Sequence, residues 1–597
     1  MLRLIAGLLA GCSISLCFAQ VDAVVITASR IPQPRSQTLQ PVNIITADDI
    51  ARGGQQTLAE VLQALGGVEI TNAGGFGQPS GVFIRGANSD HTLVLVDGLR
   101  ISSATVGSTA LENIPLNQIE RIEVVPGQLS SLYGSDAIGG VVQIFTKTGA
   151  EAPSMSATAG IGSYDTRTLA GGLRRNFDHT ELSLNVGTFQ TAGFDATKPS
   201  IPFGQHNPDR DGYKNSNLSA RVAHQLAEGH ELGVTVFQSE GTTHFDSGPT
   251  TDDVNRQTLS SYSIYSRNQI TRAWQSMVRI GEATDDSHVT GAFPGFFTTR
   301  QPQLSWQNNI AVGPGTAIAG VEYVGQHVAS DTPYTQTYRD IRAAFVGYVG
   351  QYGPHAWQAN IRQDDNSQFG NHTTGLLGYA YKITPSWRVR GSAGTAFKAP
   401  TFNDLYFPGF SNPNLRPETA RSREVGVNWE SGGHRFSATY FENRIADLIV
   451  FDTTTFTPQN LERARIKGTE LAYETSWRGF NLRARATLQD PVDETTGKRL
   501  PRRARQYGSL AIGKIAGPFT FGAEMIASGA RFDSTDESPD SRMHGYGLLN
   551  VTASYRLRGH FSLRARWDNV FNREYEFTRN FNTPGSNVFV GVQYESL

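Results

Sequence analysis

Phe561-Ser562-Leu563-Arg564-Ala565-Arg566-Trp567 alternates without a break. In an extended chain successive side chains point to opposite faces, so Phe561, Leu563, Ala565 and Trp567 share one face while Ser562, Arg564 and Arg566 share the other. One face calls for an apolar surrounding and the other for a polar lumen. The same alternation recurs in Phe480-Asn-Leu-Arg-Ala-Arg-Ala-Thr-Leu488 and Trp387-Arg-Val-Arg-Gly-Ser-Ala393, with clusters of Gly, Pro, Asn and Asp between such segments. It persists from roughly residue 150 to the end, which is too long for a soluble β-sandwich on one core. Divided among 22 strands, that length leaves about 20 residues per strand and connection, enough for ~10-residue strands that cross a bilayer and close into an antiparallel barrel. A barrel that wide leaks unless something fills it.

Composition agrees. Of 597 residues, 62 are glycine, 38% are hydrophobic and 10% aromatic, with a mean hydropathy of -0.33. No stretch beyond the first twenty residues approaches the ~20 consecutive apolar residues of a spanning helix, which excludes a helical membrane bundle. A membrane all-β fold keeps such a polar average because its lumen-facing positions are polar. Lys and Arg total 52 and Asp and Glu 54, a net charge of -2 that offers no field for nucleic acid.

Residues 1–19 read as a signal peptide, with Arg3 as the positive start, Leu4 to Phe18 as the apolar core and Ala19 before the cleavage point. Leu9-Ala-Gly-Cys12 also fits a lipid-attachment pattern, but the apolar run ahead of Cys12 is too short for it. Cys12 and Cys17 both fall inside this signal, leaving the mature chain from Gln20 without disulfides or thiolate metal sites. Residues 20–30 form a leading segment, 31–149 an α+β domain that would plug the lumen, and 150–597 the barrel. In the α+β domain Leu58, Val61, Leu62 and Leu65 have helical spacing, closed by Gly66-Gly67. Thr92 to Val96 and Ile119 to Val125 read as strands of one small sheet.

Four motifs follow one another in this domain: Phe83-Ile-Arg-Gly86, Val94-Leu-Val-Asp-Gly98, Ile119-Glu-Arg-Ile-Glu-Val-Val125 and Leu132-Tyr-Gly-Ser-Asp-Ala-Ile-Gly-Gly140. In that order and spacing they resemble the plug of TonB-dependent outer-membrane receptors. Phe397-Lys-Ala-Pro400, Asn412-Pro-Asn-Leu415 and Arg465-Ile-Lys-Gly-Thr-Glu470 carry the resemblance through the barrel. Within the family, Asp364-Asp-Asn-Ser-Gln-Phe-Gly370 is similar to the cobalamin receptors. The resemblance implies active import of cobalamin across the outer membrane of a Gram-negative bacterium, with no covalent catalysis. The implied partners are TonB, the inner-membrane energising complex behind it, and outer-membrane lipid. Two departures stand out. Pro126-Gly127-Gln128 occupies the place of the family's Arg-Gly-Pro, removing an arginine that pairs with barrel glutamates and leaving Arg85 and Glu470 as the remaining candidates. The chain also ends at Leu597, with Tyr594 as the nearest aromatic, where such barrels end on an aromatic.

The resemblance assigns three sets of residues. Asp22, Ala23, Val24, Val25, Ile26, Thr27, Ala28 and Ser29 match the TonB-binding box in type and place, since a β-branched extended segment adds readily to the edge of a partner's sheet. Taken alone, the octapeptide reads better as an ordinary first plug strand, and its position ahead of the plug motifs reverses that preference. Asp195, Asn207, Asp209, Asp211, Phe245 through its carbonyl, Asp246 and Asn255 would hold calcium, a hard cation served by six to eight oxygens. Asp252 or Asp253 could replace Asn255, and plain Asp/Gly turns are the alternative reading of the whole set. Pro79, Gly81, Asn88, Val106 and Gly107 from outward plug loops, with Ser247 and Arg502 from the barrel, would contact cobalamin; loop geometry accounts for the same residue types. Residues 398 to 411 contain no histidine, which argues against haem. The other readings are a ferric siderophore receptor and, in a different class, a passive porin or a surface adhesin. No nucleophile, base and orienting group recur at catalytic spacing, and there is no nucleotide-binding loop.

Overall fold

The computed structural model describes residues 24–150, 153–452 and 455–596; the predicted signal peptide and Asp22 and Ala23 lie outside them. Twenty-two antiparallel strands, from Ser154–Gly162 to Asn587–Glu595, close into one barrel, the first pairing with the last from Ser156↔Glu595 to Gly162↔Phe589. Connections at one end are tight, such as 178–179, 228–229 and 272–273. Those at the other include 192–212, 399–417, 529–545 and 569–586. Short turns on the periplasmic side and long loops outside are the signature of a transmembrane barrel. The outer wall fits it: Ile161, Ile280, Leu377 and Val425 are 57–67% exposed. Trp387, Trp429, Trp477, Phe480, Phe519 and Tyr555 ring the short-turn end, with the Trp387 and Trp429 ring centres 6.2 Å apart. Among the described residues no helix is long and apolar enough to cross a membrane.

The N-terminal domain fills the lumen. Its sheet runs, in spatial order, Asn43–Thr46, Ile119–Pro126, Gly140–Thr146, Thr92–Val96 and Leu99–Arg100, with only the Gly140–Thr146 and Thr92–Val96 pair parallel. The helix expected at Leu58 starts with a capping box between Thr57 and Glu60 and spans Leu58–Val61. It then widens to a π-turn over Leu62–Gly66 and stops at Gly67, whose φ of 73° suits glycine. Leu58, Val61, Leu62 and Leu65 pack against Val94, Val96, Val124 and Val142 of the sheet. The same core takes in Phe237, Leu259 and Leu548 from the barrel.

The alternating strands explain how the plug is held. Arg564 donates to the Ala51 carbonyl at 3.0 Å and Arg566 to that of Gly53, at the C-terminal end of the helix Ala47–Gly53. Helix C-termini carry unsatisfied carbonyls and partial negative charge, so cations belong there. Arg485 donates to Asn43 at 2.6 Å, Arg483 to Asp49 at 3.3 Å, and Arg388 to the carbonyls of Ser36 and Thr38. The expected polar lumen is therefore made of the plug's backbone carbonyls together with polar side chains such as Asn43 and Asp49. Arg85 bridges Glu424 and Glu470, both at 2.7 Å, while Arg390 of the barrel reaches Glu424 at 2.6 Å. The second cation of this cluster comes from the wall, and Gln128 donates to Asn443 at 2.9 Å. Arg85→Ala leaves buried Glu424 to Arg390 alone and takes from Glu470, one-fifth exposed, its ion pair, a loss of roughly 3–5 kcal/mol for a broken buried network. In planar bilayers the variant is expected to open at lower urea than the wild type, whereas equal urea dependence would deny Arg85 this retaining role.

Candidate functional site

Three features at the two ends of the lumen bear on function, beginning with the chain's N-terminal segment. Val24–Val25 pairs with Gln33–Pro34, and the chain then turns: the Arg30 amide donates to the Ile26 carbonyl at 2.7 Å. The amides of Ile26 and Thr27 both donate to Glu123 Oε2, at 3.1 and 2.9 Å. Neighbouring amides in a strand point to opposite edges, so one carboxylate oxygen can gather both only where the strand has ended. Tyr133 donates to the Thr27 carbonyl at 3.0 Å, and Gln358 of the barrel to that of Ala28 at 3.4 Å. Val25, Thr27, Ala28 and Ser29 are buried. Arg30 closes the latch: it pairs with Glu322, which Arg362 also holds at 2.6 Å, and lies 4.6 Å over the Phe345 ring. The expected extended segment is a two-residue strand followed by a sequestered turn. Nothing in the octapeptide signals this, because Glu123 lies 96 residues from Thr27.

At the long-loop end the plug presents two apices. Residues 72–80 abut Phe194, Ala196 and Tyr213: a Cβ on Gly74 would come within 2.4 Å of the Ala196 Cβ, and on Gly77 within 2.1 Å of the Tyr213 ring. Residues 103–109 dock on the long loop 399–417, where the Phe402 and Asn403 amides donate to the carbonyls of Ala104 and Thr105 at 3.1 and 3.0 Å. Pro79 is exposed and Val106 is 54% exposed at the mouth. Gly107, half-buried at φ 78°, sits against Thr401 and Asp90; Gly81 sits against Thr71 and Ser89. Asn88 accepts from Arg503 and caps the turn ending at His91. Ser247 bonds Asp253, and Arg502 pairs with Asp533 at 2.6 Å. Beside the second apex stands an aromatic wall that sequence reasoning missed. Phe402, Tyr334 and Tyr406 pack on Ala104, and Phe297 and Phe407 extend it with ring centres 6.3 Å apart. These residues are dispersed over three segments with no shared motif, so only folding reveals them as one surface.

Between the first apex and the barrel rim lies an acidic nest. Carboxylate oxygens of Asp209, Asp211 and Asp246 fall within 4.8 Å of one another, as do ligand atoms of Asp195, His206 and Asp246. Asn207 ties the nest together, its backbone amide donating to Asp246 at 3.2 Å and its side chain to Asp209 at 2.7 Å. Burial, then the neighbouring carboxylates of Asp246, Asp209 and Asp195, push Asp211 up to about 7, and burial raises Asp195 and Asp209 as well. The adjacent Arg210 gives no relief, since it turns away to Asp165. Converging carboxylates that lack a cationic side chain are what a hard divalent ion accepts. Of the other expected ligands, Asn255 accepts from Ser287 at 2.8 Å on the barrel wall, Phe245 ends its strand directly before Asp246, and Asp252 pairs with His244 at 2.7 Å while its charge still acts on Asp209. Asp253 is taken by Ser247 and the Ala292 amide. His206 was passed over because a site of hard oxygen donors gives no reason to look for a histidine.

Comparison with known proteins places this architecture. Residues 153–570 match the model of the TonB dependent receptor-like β-barrel, and residues 34–141 that of the TonB-dependent receptor plug domain. The vitamin B12 transporter BtuB of Vibrio vulnificus is 33% identical, over 96% of this chain and 95% of its own. The protein of the same name from Photobacterium profundum is 29% identical over the same shares. Among solved structures, the ferric enterobactin receptor PfeA of Pseudomonas aeruginosa superposes with a TM-score of 0.81 at 17% identity, covering 96% of this chain and all of that one. The siderophore receptor PirA of Acinetobacter baumannii gives 0.81 at 17% identity over 94% and 99%. Barrel, internal plug and full-length likeness together establish that this chain belongs to the TonB-dependent receptors of the Gram-negative outer membrane.

Proposed function

We propose that this receptor imports cobalamin, with calcium ordering its outer loops and TonB drawing on its N-terminal segment. The observation that carries the substrate is the 33% identity to a vitamin B12 transporter across nearly the whole chain. Likeness to siderophore receptors is at 17% identity and speaks for the fold they share. In this reading cobalamin settles on Pro79, Gly81, Asn88, Val106 and Gly107, flanked by Ser247, Arg502 and the aromatic wall. Asp195, Asp209, Asp211 and Asp246 hold calcium, whose charge removes their mutual repulsion and pins loop 192–212 to loop 246–252 over the mouth. Residues 22–29 form the TonB-binding segment, and the Glu123 latch keeps its edge unavailable until ligand binding loosens it. Residues 1–19, 20–30, 31–149 and 150–597 then serve as export signal, coupling segment, plug and barrel.

Four measurements test this. Purified receptor titrated with cyanocobalamin is expected to bind more tightly with calcium than with chelator; failure to bind under both conditions transfers the assignment to a ferric siderophore. Asp209→Asn together with Asp211→Asn removes two of the four acids, and should abolish the calcium effect while leaving calcium-independent binding in place. Glu123→Gln replaces charge-assisted hydrogen bonds worth ~1.5–3 kcal/mol, so maleimide labelling of a Thr27→Cys reporter should quicken by roughly tenfold or more. Unchanged labelling would remove Glu123 from the latch. Deleting residues 22–29 separates active import from a porin, since active uptake stops with binding retained, whereas passive flux continues.

A further inference from the structure

Three neighbouring strands carry basic side chains on the outer, lipid-facing wall. Strand parity sets the face. Glu424, Phe441 and Glu470 point inward to Arg85, so Arg421 and Arg423 on Glu418–Ser431, Arg444 on His434–Asp452, and Arg465 and Lys467 on Thr457–Trp477 point outward. Register brings Arg421, Arg444 and Arg465 onto one rung, Arg421 opposite Arg444 and Arg444 opposite Arg465. Like charges directly opposite one another destabilise a sheet. The local acids cover them incompletely. Glu442 serves both Arg423 and Arg444 at 2.7 Å, Glu494 lies 3.3 Å from Arg465, and Asp490 opposite Lys467 is engaged by Arg505. Among the described residues Arg421 and Lys467 have no ion pair. On their strands Arg465 stands twelve residues from Trp477 and Arg421 eight from Trp429 of the short-turn girdle, bracketing the ~9–11 residues that cross the hydrocarbon. The rung therefore lies at the outer-leaflet boundary.

From this cluster a groove of about 1040 Å³ runs along the wall toward mid-strand. Its sides are apolar, with Leu377, Ile361 and Val346 each more than half exposed, and its floor is shallow where Ala359, Gly375 and Ala393 carry little side chain. Its charged residues, Arg421, Arg423, Glu442 and Arg444, come from the two strands at one edge. We infer that this surface binds a phosphorylated glycolipid of the outer leaflet, with the phosphates on the arginine rung and an acyl chain in the groove. Guanidinium groups chelate phosphate oxygens in pairs, and an anion lying across the rung offsets its self-repulsion. The occupant must be amphipathic, because the groove continues below the charges into the hydrocarbon, where free phosphate has no place.

The test titrates the full receptor in neutral maltoside micelles with diphosphorylated lipid A and with the same lipid stripped of phosphate, reading bound lipid by native mass spectrometry. At least a tenfold preference for the phosphorylated form is expected. Arg421→Gln, Arg444→Gln and Arg465→Gln combined should erase that preference. Ala393→Trp, which fills the groove and keeps the charges, should weaken binding of both lipids. Equal binding of the two lipids by the wild type overturns the inference. So does a preference that survives in a triple variant still showing heat-modifiable barrel mobility.

Discussion

A guanidinium on the inner face of a closed barrel has no bulk water to turn to once the lumen is filled. It must find an acceptor on whatever fills it, because a buried unpaired charge costs several kcal/mol. Here the wall arginines 388, 390, 483, 485, 564 and 566 all resolve this on the plug or on acids beside it. Several of their acceptors are main-chain carbonyls at a helix end and in loops, groups that themselves need donors. Barrel and plug therefore satisfy each other's polar deficits, and neither surface is stable without the other in its present form.

That dependence shapes how such a plug can move. An apolar seam releases nothing until much of it parts, whereas a set of polar contacts can be exchanged one at a time with water or with alternative partners. The plug has both. A shared apolar core joins Leu58, Leu62 and Val94 to Phe237 and Leu548 on one side. Arginine contacts and the Arg85 cluster line the rest. Rearrangement of the polar part can leave the apolar part seated.

The two ends of the lumen carry complementary devices. At the short-turn end Glu123 is wholly buried and accepts from the amides of Ile26 and Thr27 and from Arg121. At the long-loop end the acids Asp195, Asp209, Asp211 and Asp246 converge, with His206 beside Asp195 and Asp246.

Alternation of the kind in Phe561 to Trp567 determined the barrel, since a period of two over hundreds of residues admits little else. Ordered motifs such as Phe83-Ile-Arg-Gly86 determined the plug, and the acids of loop 192–212 were visible as metal-ligand types. Pairings between distant segments were decided only by the tertiary structure. Arg390 joins Arg85 on Glu424, Glu123 turns a β-branched segment into a buried bend, and Asn255 stays on the wall while His206 joins the nest. A local pattern records which face a side chain occupies, because that follows from backbone period. Which partner it meets across the lumen follows from barrel closure and register, and these are properties of the whole sheet.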